Sequence, residues 1–204
     1  RREPPRMISS TEMAVVDENA EALGVPRKQL MESSGNAVAR AVREIADPGA
    51  SVALVCGRGN NGGDAFVAAR FLSAYDVTVH LLGRPETIST EIARENWVAL
   101  ERAEIDRRTV EDSTAIDLAT PDIVVDAMLG TGVTGALREP EATATETINA
   151  ADCPVLAVDV PSGIDADTGE REGIAVEADR VVTFHDEKPG LRDLDADVTV
   201  DNIG

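Results

Sequence analysis

The chain opens on helical spacing and then changes rhythm. Ser9-Ser10-Thr11-Glu12 carries the S-x-x-E spacing of a capping box, and an amphipathic stretch follows to about Leu23. Gly24 stops that helix, and Pro26 stands where the first turn of the next begins. Leu30, Val38, Val42 and Ile45, with Ala37 and Ala41, form one helical stripe ending near Asp47-Pro48-Gly49. Two helices therefore precede any strand. From Ser51 onward, short apolar runs alternate with helical periods. Ser51–Cys56 reads as a buried strand, Asp64–Ala74 as helix, Val77–Leu82 as strand and Ser89–Ala103 as a polar helix. Asp122–Met128 reads as strand, Pro140–Ala151 as helix and Pro154–Val160 as strand, with short strands at Arg180–Phe184 and Val198–Val200 closing one edge. Strands that are apolar throughout and separated by helices predict an α/β fold with a mostly parallel sheet covered on both faces. No repeat or linker-like segment interrupts the pattern, so residues 1–204 read as one domain.

In such a sheet, ligands bind beyond the C-terminal ends of the strands. Three loops with unusual chemistry leave those ends: GRGNNGGD after the first strand, LGTGVTGALREP after DIVVDAM, and PSGIDADTG after PVLAVD. They are expected to converge. Gly57-x-Gly59-x-x-Gly62 has the dinucleotide spacing, in which glycines let backbone amides at a helix N-terminus approach a pyrophosphate. No Gly-Lys-[Ser/Thr] follows, which argues against a P-loop triphosphatase. Gly83-Arg84 stands where an ordinary dehydrogenase carries its ribose-binding carboxylate. Two readings of Asp64 stand: an N-cap for a helix beginning at Ala65, or a carboxylate beside a cation. Asp126 and Asp159 end apolar strands, and with Ser162 and the Asn61 amide they could form an all-oxygen cage for a hard alkali or alkaline-earth cation. No Cys/His cluster suggests zinc. His80 reads as structural; His185 lies in a loop, either exposed or near a ligand.

Charge and composition narrow the function classes. The net charge is −19, which opposes binding to nucleic acid. Lysine occurs only at Lys28 and Lys188, and aromatics make up 2% of the chain. An acidic, lysine-poor surface suits a cytoplasm of very high salt, where screening removes self-repulsion. Cys56 and Cys153 both read as buried thiols in a reducing cytoplasm. No apolar run is long enough to span a membrane, and Arg1 to Ile8 lacks the core of a signal peptide.

Taken in order, Leu30-Met31-Glu32 with Gly35, Gly59-Asn60-Asn61-Gly62-Gly63-Asp64, Asp126 to Gly135, Val158-Asp159-Val160-Pro161-Ser162-Gly163 and Phe184-His185-x-x-Lys188-Pro189-Gly190 resemble the NAD(P)H-hydrate epimerases, the YjeF N-terminal domain family. The resemblance covers nearly the whole chain from Met7. It implies a Rossmann-like three-layer αβα sandwich, an isomerase that interconverts the R and S forms of hydrated NADH and NADPH (NADHX and NADPHX). It further implies substrate contacts from Asn60, Asn61, Gly62, Gly63 and Asp64, from Gly130, Thr131, Gly132, Val133, Thr134, Gly135 and Ala136, and from Asp159. A potassium ion would be held by Asn61, Asp126 and Ser162. Glu32-Ser33-Ser34-Gly35 and Ala65 depart from the family's usual residues. The hydrated nicotinamide is a hemiaminal, so inversion through loss and return of water, or through ring opening, needs an acid/base group. Asp159 at a strand end is the candidate. Two other readings compete: an NADP-linked oxidoreductase with Arg84 at a 2′-phosphate, and a non-catalytic ligand-binding or scaffold module. A homodimer formed through the leading helices, and fusion to or partnership with an ADP- or ATP-dependent dehydratase, complete the expectations.

Overall fold

The computed structural model describes residues 7–203. The leader reading of Arg1 to Ile8 falls mostly outside the described residues, as does Gly204 of the domain assignment. Five helices, α1 (Ser10–Ala22), α2 (Arg27–Ile45), α3 (Asn60–Phe71), α4 (Glu91–Arg102) and α5 (Glu141–Asn149), accompany seven strands. The strands are β1 (Ser51–Cys56), β2 (Asp76–Leu82), β3 (Asp106–Val110), β4 (Ile123–Ala127), β5 (Val155–Val158), β6 (Arg180–Phe184) and β7 (Asp197–Asp201). They form one sheet in the order β3-β2-β1-β4-β5-β6-β7. Every pairing is parallel.

Alternation along the strands divides the interior between two faces. Val52, Leu54 and Cys56 of β1 pack with Phe66 and Ala69 of α3 and with Val38 and Val42 of α2, whereas Ala53 and Val55 face Ala144 and Ile148 of α5. Both faces being covered is what makes the strands apolar throughout. The result is the three-layer αβα sandwich the sequence implied. No helix among the described residues is long and apolar enough to cross a membrane.

Four local readings are corrected. β3 was not anticipated, because its sequence DRRTV buries only Val110 and sits at the sheet edge. Asp64 is no N-cap: α3 begins at Asn60 with Gly59 in the cap position, four residues earlier than expected, since the small residues there pack closely enough to start the helix. β5 ends at Val158 rather than Val160, because Asp159 adopts a left-handed backbone with φ 68°. Cys153 is half-buried, beside the solvent-facing start of β5, while Cys56 is buried. The capping box at Ser9 is formed as expected, yet α1 buries no residue. It is tied down by the partly buried Met13, which packs against the core, and by Ser10, which bonds Asp167 through its amide (2.8 Å) and hydroxyl (2.6 Å).

Candidate active site

Successive strands run outward from β1 to β3, and the chain then returns to place β4 on the other side of β1. That reversal opens a crevice at the C-terminal ends of β1 and β4. A cleft of about 830 Å³ lies there, within the range of small-molecule sites. It is walled by the β1–α3 turn, the loop after β4, the end of β5 and one side of α1.

The glycines of the turn have different physical tasks. A Cβ on Gly57 would stand 1.9 Å from the Met128 carbonyl oxygen, and one on Gly62 would stand 2.1 Å from the Gly57 carbonyl oxygen. Both serve the close approach of backbone to backbone. Gly63 faces the Met31 side chain, 2.7 Å from a would-be Cβ. Gly59 meets nothing within 4 Å and lines the cleft, so it is the glycine that leaves room for a ligand at the α3 N-terminus. Asn60, Asn61, Asp64, Gly130, Thr131, Gly132, Val133 and Asp159 share that cleft. Thr134 and Gly135 border a smaller neighbouring hollow of about 100 Å³ together with Gly130 and Val133, and Ala136 borders neither.

Asp159 is the most constrained group in the site. Its Oδ1 accepts from the Thr183 hydroxyl at 3.1 Å and lies 2.9 Å from the Lys188 ammonium. Its Oδ2 faces Gly130, 3.5 Å from where a Cβ would be. One carboxylate oxygen is thus locked and the other turned to the cleft, with the residue only 7% exposed. Lys188 is fully buried, and its Nζ also donates to the Phe184 carbonyl at 2.6 Å and the Asp186 carbonyl at 3.4 Å. Sequence reasoning gave Lys188 no role. The signals available were its place in the Phe184-His185-x-x-Lys188-Pro189-Gly190 motif and its being one of only two lysines in a chain with 19 basic residues.

Asp126, at the end of β4, is fully buried. Its Oδ1 accepts from the Ser162 hydroxyl (2.7 Å) and the Met128 amide (3.1 Å), and its Oδ2 from the Ser162 amide (2.8 Å). Burial pushes its pKa up to about 6, against the pull of those bonds. Ser162 Oγ also accepts from the Leu129 amide at 3.1 Å. The buried Asn61 amide nitrogen has no hydrogen-bond partner among the described residues. Of the four oxygen donors expected to form a cage, Asp159 has its charge met by Lys188; Asp126 and Ser162 bind one another directly. Among the described residues no three His, Cys, Asp or Glu side chains gather as a metal cluster.

Asp64, on the first turns of α3, hydrogen-bonds the Ser34 hydroxyl of α2, a residue that sequence reasoning noted only as a departure from the family motif. Burial raises the Asp64 pKa well above the usual carboxylate value; Asp159 and Asp17 push the same way, and the Ser34 bond opposes them. His80 is buried and held neutral, its pKa lowered to about 4 chiefly by burial and then by Arg108, as fits a structural role. His185 is neither exposed nor in the cleft: its side chain is 7% exposed and its Nε2 stands 3.5 Å from Asp17 of α1. Arg84 pairs with Glu111 at 2.7 Å on the open surface, which leaves the oxidoreductase reading without its 2′-phosphate partner. Arg58 lines the cleft instead, lying against Gly83.

Comparison with known proteins agrees with this geometry. The family model described as YjeF-related protein N-terminus matches residues 27–190. The chain is 44% identical over 202 residues to the NAD(P)H-hydrate epimerase of Cenarchaeum symbiosum, covering 97% of this chain and 94% of that protein. It is 47% identical over 200 residues to the bifunctional NAD(P)H-hydrate repair enzyme Nnr of Methanothermobacter thermautotrophicus, covering 95% of this chain but 38% of that one. The chain thus spans well under half the length of its bifunctional relatives. The crystal structure of the yeast protein YNL200c is similar at a TM-score of 0.80 and 27% identity, over 91% of this chain and 82% of that one.

Proposed function

Because the chain belongs to the family of YjeF-related protein N-termini, we propose that it interconverts the R and S forms of hydrated NADH and NADPH. The observation that carries this reading is Asp159. Lys188 and Thr183 hold one of its oxygens while the other faces the cleft at the β1–β4 reversal. A fixed, oriented carboxylate at such a point is what inversion of a hemiaminal carbon requires, whichever route the carbon takes. The amides at the start of α3 and the Gly130–Val133 loop supply donors for the pyrophosphate and ribose.

A potassium ion fits the donor set at Asn61, Asp126 and Ser162. Asp126 Oδ2 and Ser162 Oγ each keep an unused lone pair, and turning the Asn61 amide to present its oxygen would break no hydrogen bond of its nitrogen among the described residues. The ion would offset the desolvated charge of Asp126 and fix the two loops that meet there. The homodimer has the exposed Val15 and Leu23 of α1 in its favour. The dehydratase is a partner chemically suited to consume the S form.

The deciding experiment follows R/S interconversion of NADHX in molar KCl for the wild type and for Asp159→Asn. Interconversion by the wild type and its loss in the variant are expected; a variant at the wild-type rate overturns the assignment. Replacing KCl by choline chloride at equal ionic strength tests the ion. Unchanged activity with no ion bound at Asn61 and Asp126 rejects it.

A further inference from the structure

The cleft holds more carboxyl groups than buried cations to meet them. Asp64, Asp159 and Asp17 all line it. The Lys188 ammonium is committed to Asp159 and to two carbonyls behind it. Asp17 has His185 at 3.5 Å. Of the cleft's arginines, Arg27 is paired with Glu21 and Arg58 lies over by Gly83. Among the described residues Asp64 has only the Ser34 hydroxyl as a hydrogen-bond partner. That hydroxyl owns a single proton, and it also lies 3.0 Å from the Met31 carbonyl, which can only accept. When the Ser34 proton is given to the Met31 carbonyl, a hydrogen bond between Ser34 and Asp64 needs the proton of Asp64. Asp64 also faces the negative charge of Asp159, and of two such carboxyl groups the one that lacks the ammonium keeps the proton.

The geometry points to a division of labour that deepens the epimerase reading and rests on it. Asp64 is the neutral acid that protonates the departing hydroxyl, and Asp159 is the carboxylate that takes a proton from the returning water. As the hydroxyl leaves, its C–O bond breaks, the ring nitrogen lone pair forms a C=N bond, and the Asp64 proton completes a water molecule. Water then adds to the opposite face of that carbon, the C=N electron pair returns to nitrogen, and the surplus proton passes to Asp159. The substrate's composition is unchanged and one proton has moved between carboxyl groups. That arrangement is the starting point for the reverse reaction, and exchange with cleft water restores the resting form. Burial of Asp64 and the charge of its neighbours act in the same sense.

The test first reads the protein without substrate, by infrared spectroscopy at a pH of about 8, where a carboxyl such as Asp126 is ionised. The wild type is expected to show a carboxylic-acid carbonyl stretch that shifts in D2O. Asp64→Asn is expected to lose the band. A wild type without the band, or a band that survives Asp64→Asn, overturns the proposal. With NADHX, Asp64→Asn is expected to lower kcat about 100-fold or more while KM changes less than about threefold. An unchanged kcat likewise overturns it. A wild type that shows the band but leaves NADHX untouched fails differently: the proton is where it was placed, and the epimerase reading falls.

Discussion

Replacing Lys188 with methionine removes the cation under Asp159 while keeping most of the volume. Three contacts of Nζ disappear, to Asp159 Oδ1 at 2.9 Å, Phe184 O at 2.6 Å and Asp186 O at 3.4 Å. Removing one partner of a buried pair costs about 3–5 kcal/mol, mainly because the other charge is left uncompensated. Asp159 keeps the Thr183 bond and turns its second oxygen to the cleft, so the low end applies, about 3 kcal/mol. For a domain of this size that lowers Tm by about 6–12 °C. The assay is a double-mutant cycle, read by urea unfolding, with Lys188→Met, Asp159→Asn and the double variant. In the Asp159→Asn background no anion remains to be stranded, so the lysine replacement is expected to cost about 2 kcal/mol less. A coupling below about 0.5 kcal/mol would refute the reasoning. Being buried, the coupling is expected to persist in concentrated KCl, where the exposed Lys28–Glu95 pair is screened.

Two further outcomes follow from the same geometry. His80, with a folded pKa of about 4 against an unfolded value of about 6.5, must take up a proton on unfolding between those pH values. The stability it contributes is full above about pH 6.5 and is lost as pH falls toward about 4, on the order of 3 kcal/mol in all. Urea titrations across that window should show His80→Val flattening the decline, and equal slopes in the two proteins reject the assignment. In the glycine-rich turn, Gly57→Ala and Gly62→Ala are expected to lower Tm sharply, because each Cβ meets a carbonyl oxygen near 2 Å, at 1.9 and 2.1 Å. Gly59→Ala should cost only about 1 kcal/mol as a poorer N-cap while raising KM for NADHX. Thermal melts beside steady-state kinetics distinguish the two classes, and a Gly59 variant with unaltered KM removes that residue from the ligand's path.

Much of this site was legible because its groups lie at the ends of strands whose apolar runs are hard to mistake. DIVVDAM and PVLAVDV announce β4 and β5, and the carboxylates at their ends fall where the sheet opens. What stayed hidden depends on contacts distant in sequence or on chemistry that runs against the usual rule. A lysine is expected in water, and nothing near Lys188 in the chain announces that it reaches Asp159 through a buried turn. Ser34 gains meaning only when α2 packs on α3 and brings Asp64 to it. The start of α3 was misplaced because Asn and Gly are poor helix formers in isolation, a preference that close packing at Gly57 and Gly62 overrides. The edge strand β3 escaped because its exposed residues give no apolar run to detect.

The left-handed backbone at Asp159 limits what can ever stand there. Among residues with a Cβ, asparagine tolerates that conformation best, and glycine adopts it freely, whereas a bulky or β-branched side chain would strain the turn. Asparagine and glycine are therefore the replacements that remove the carboxylate without also straining this turn.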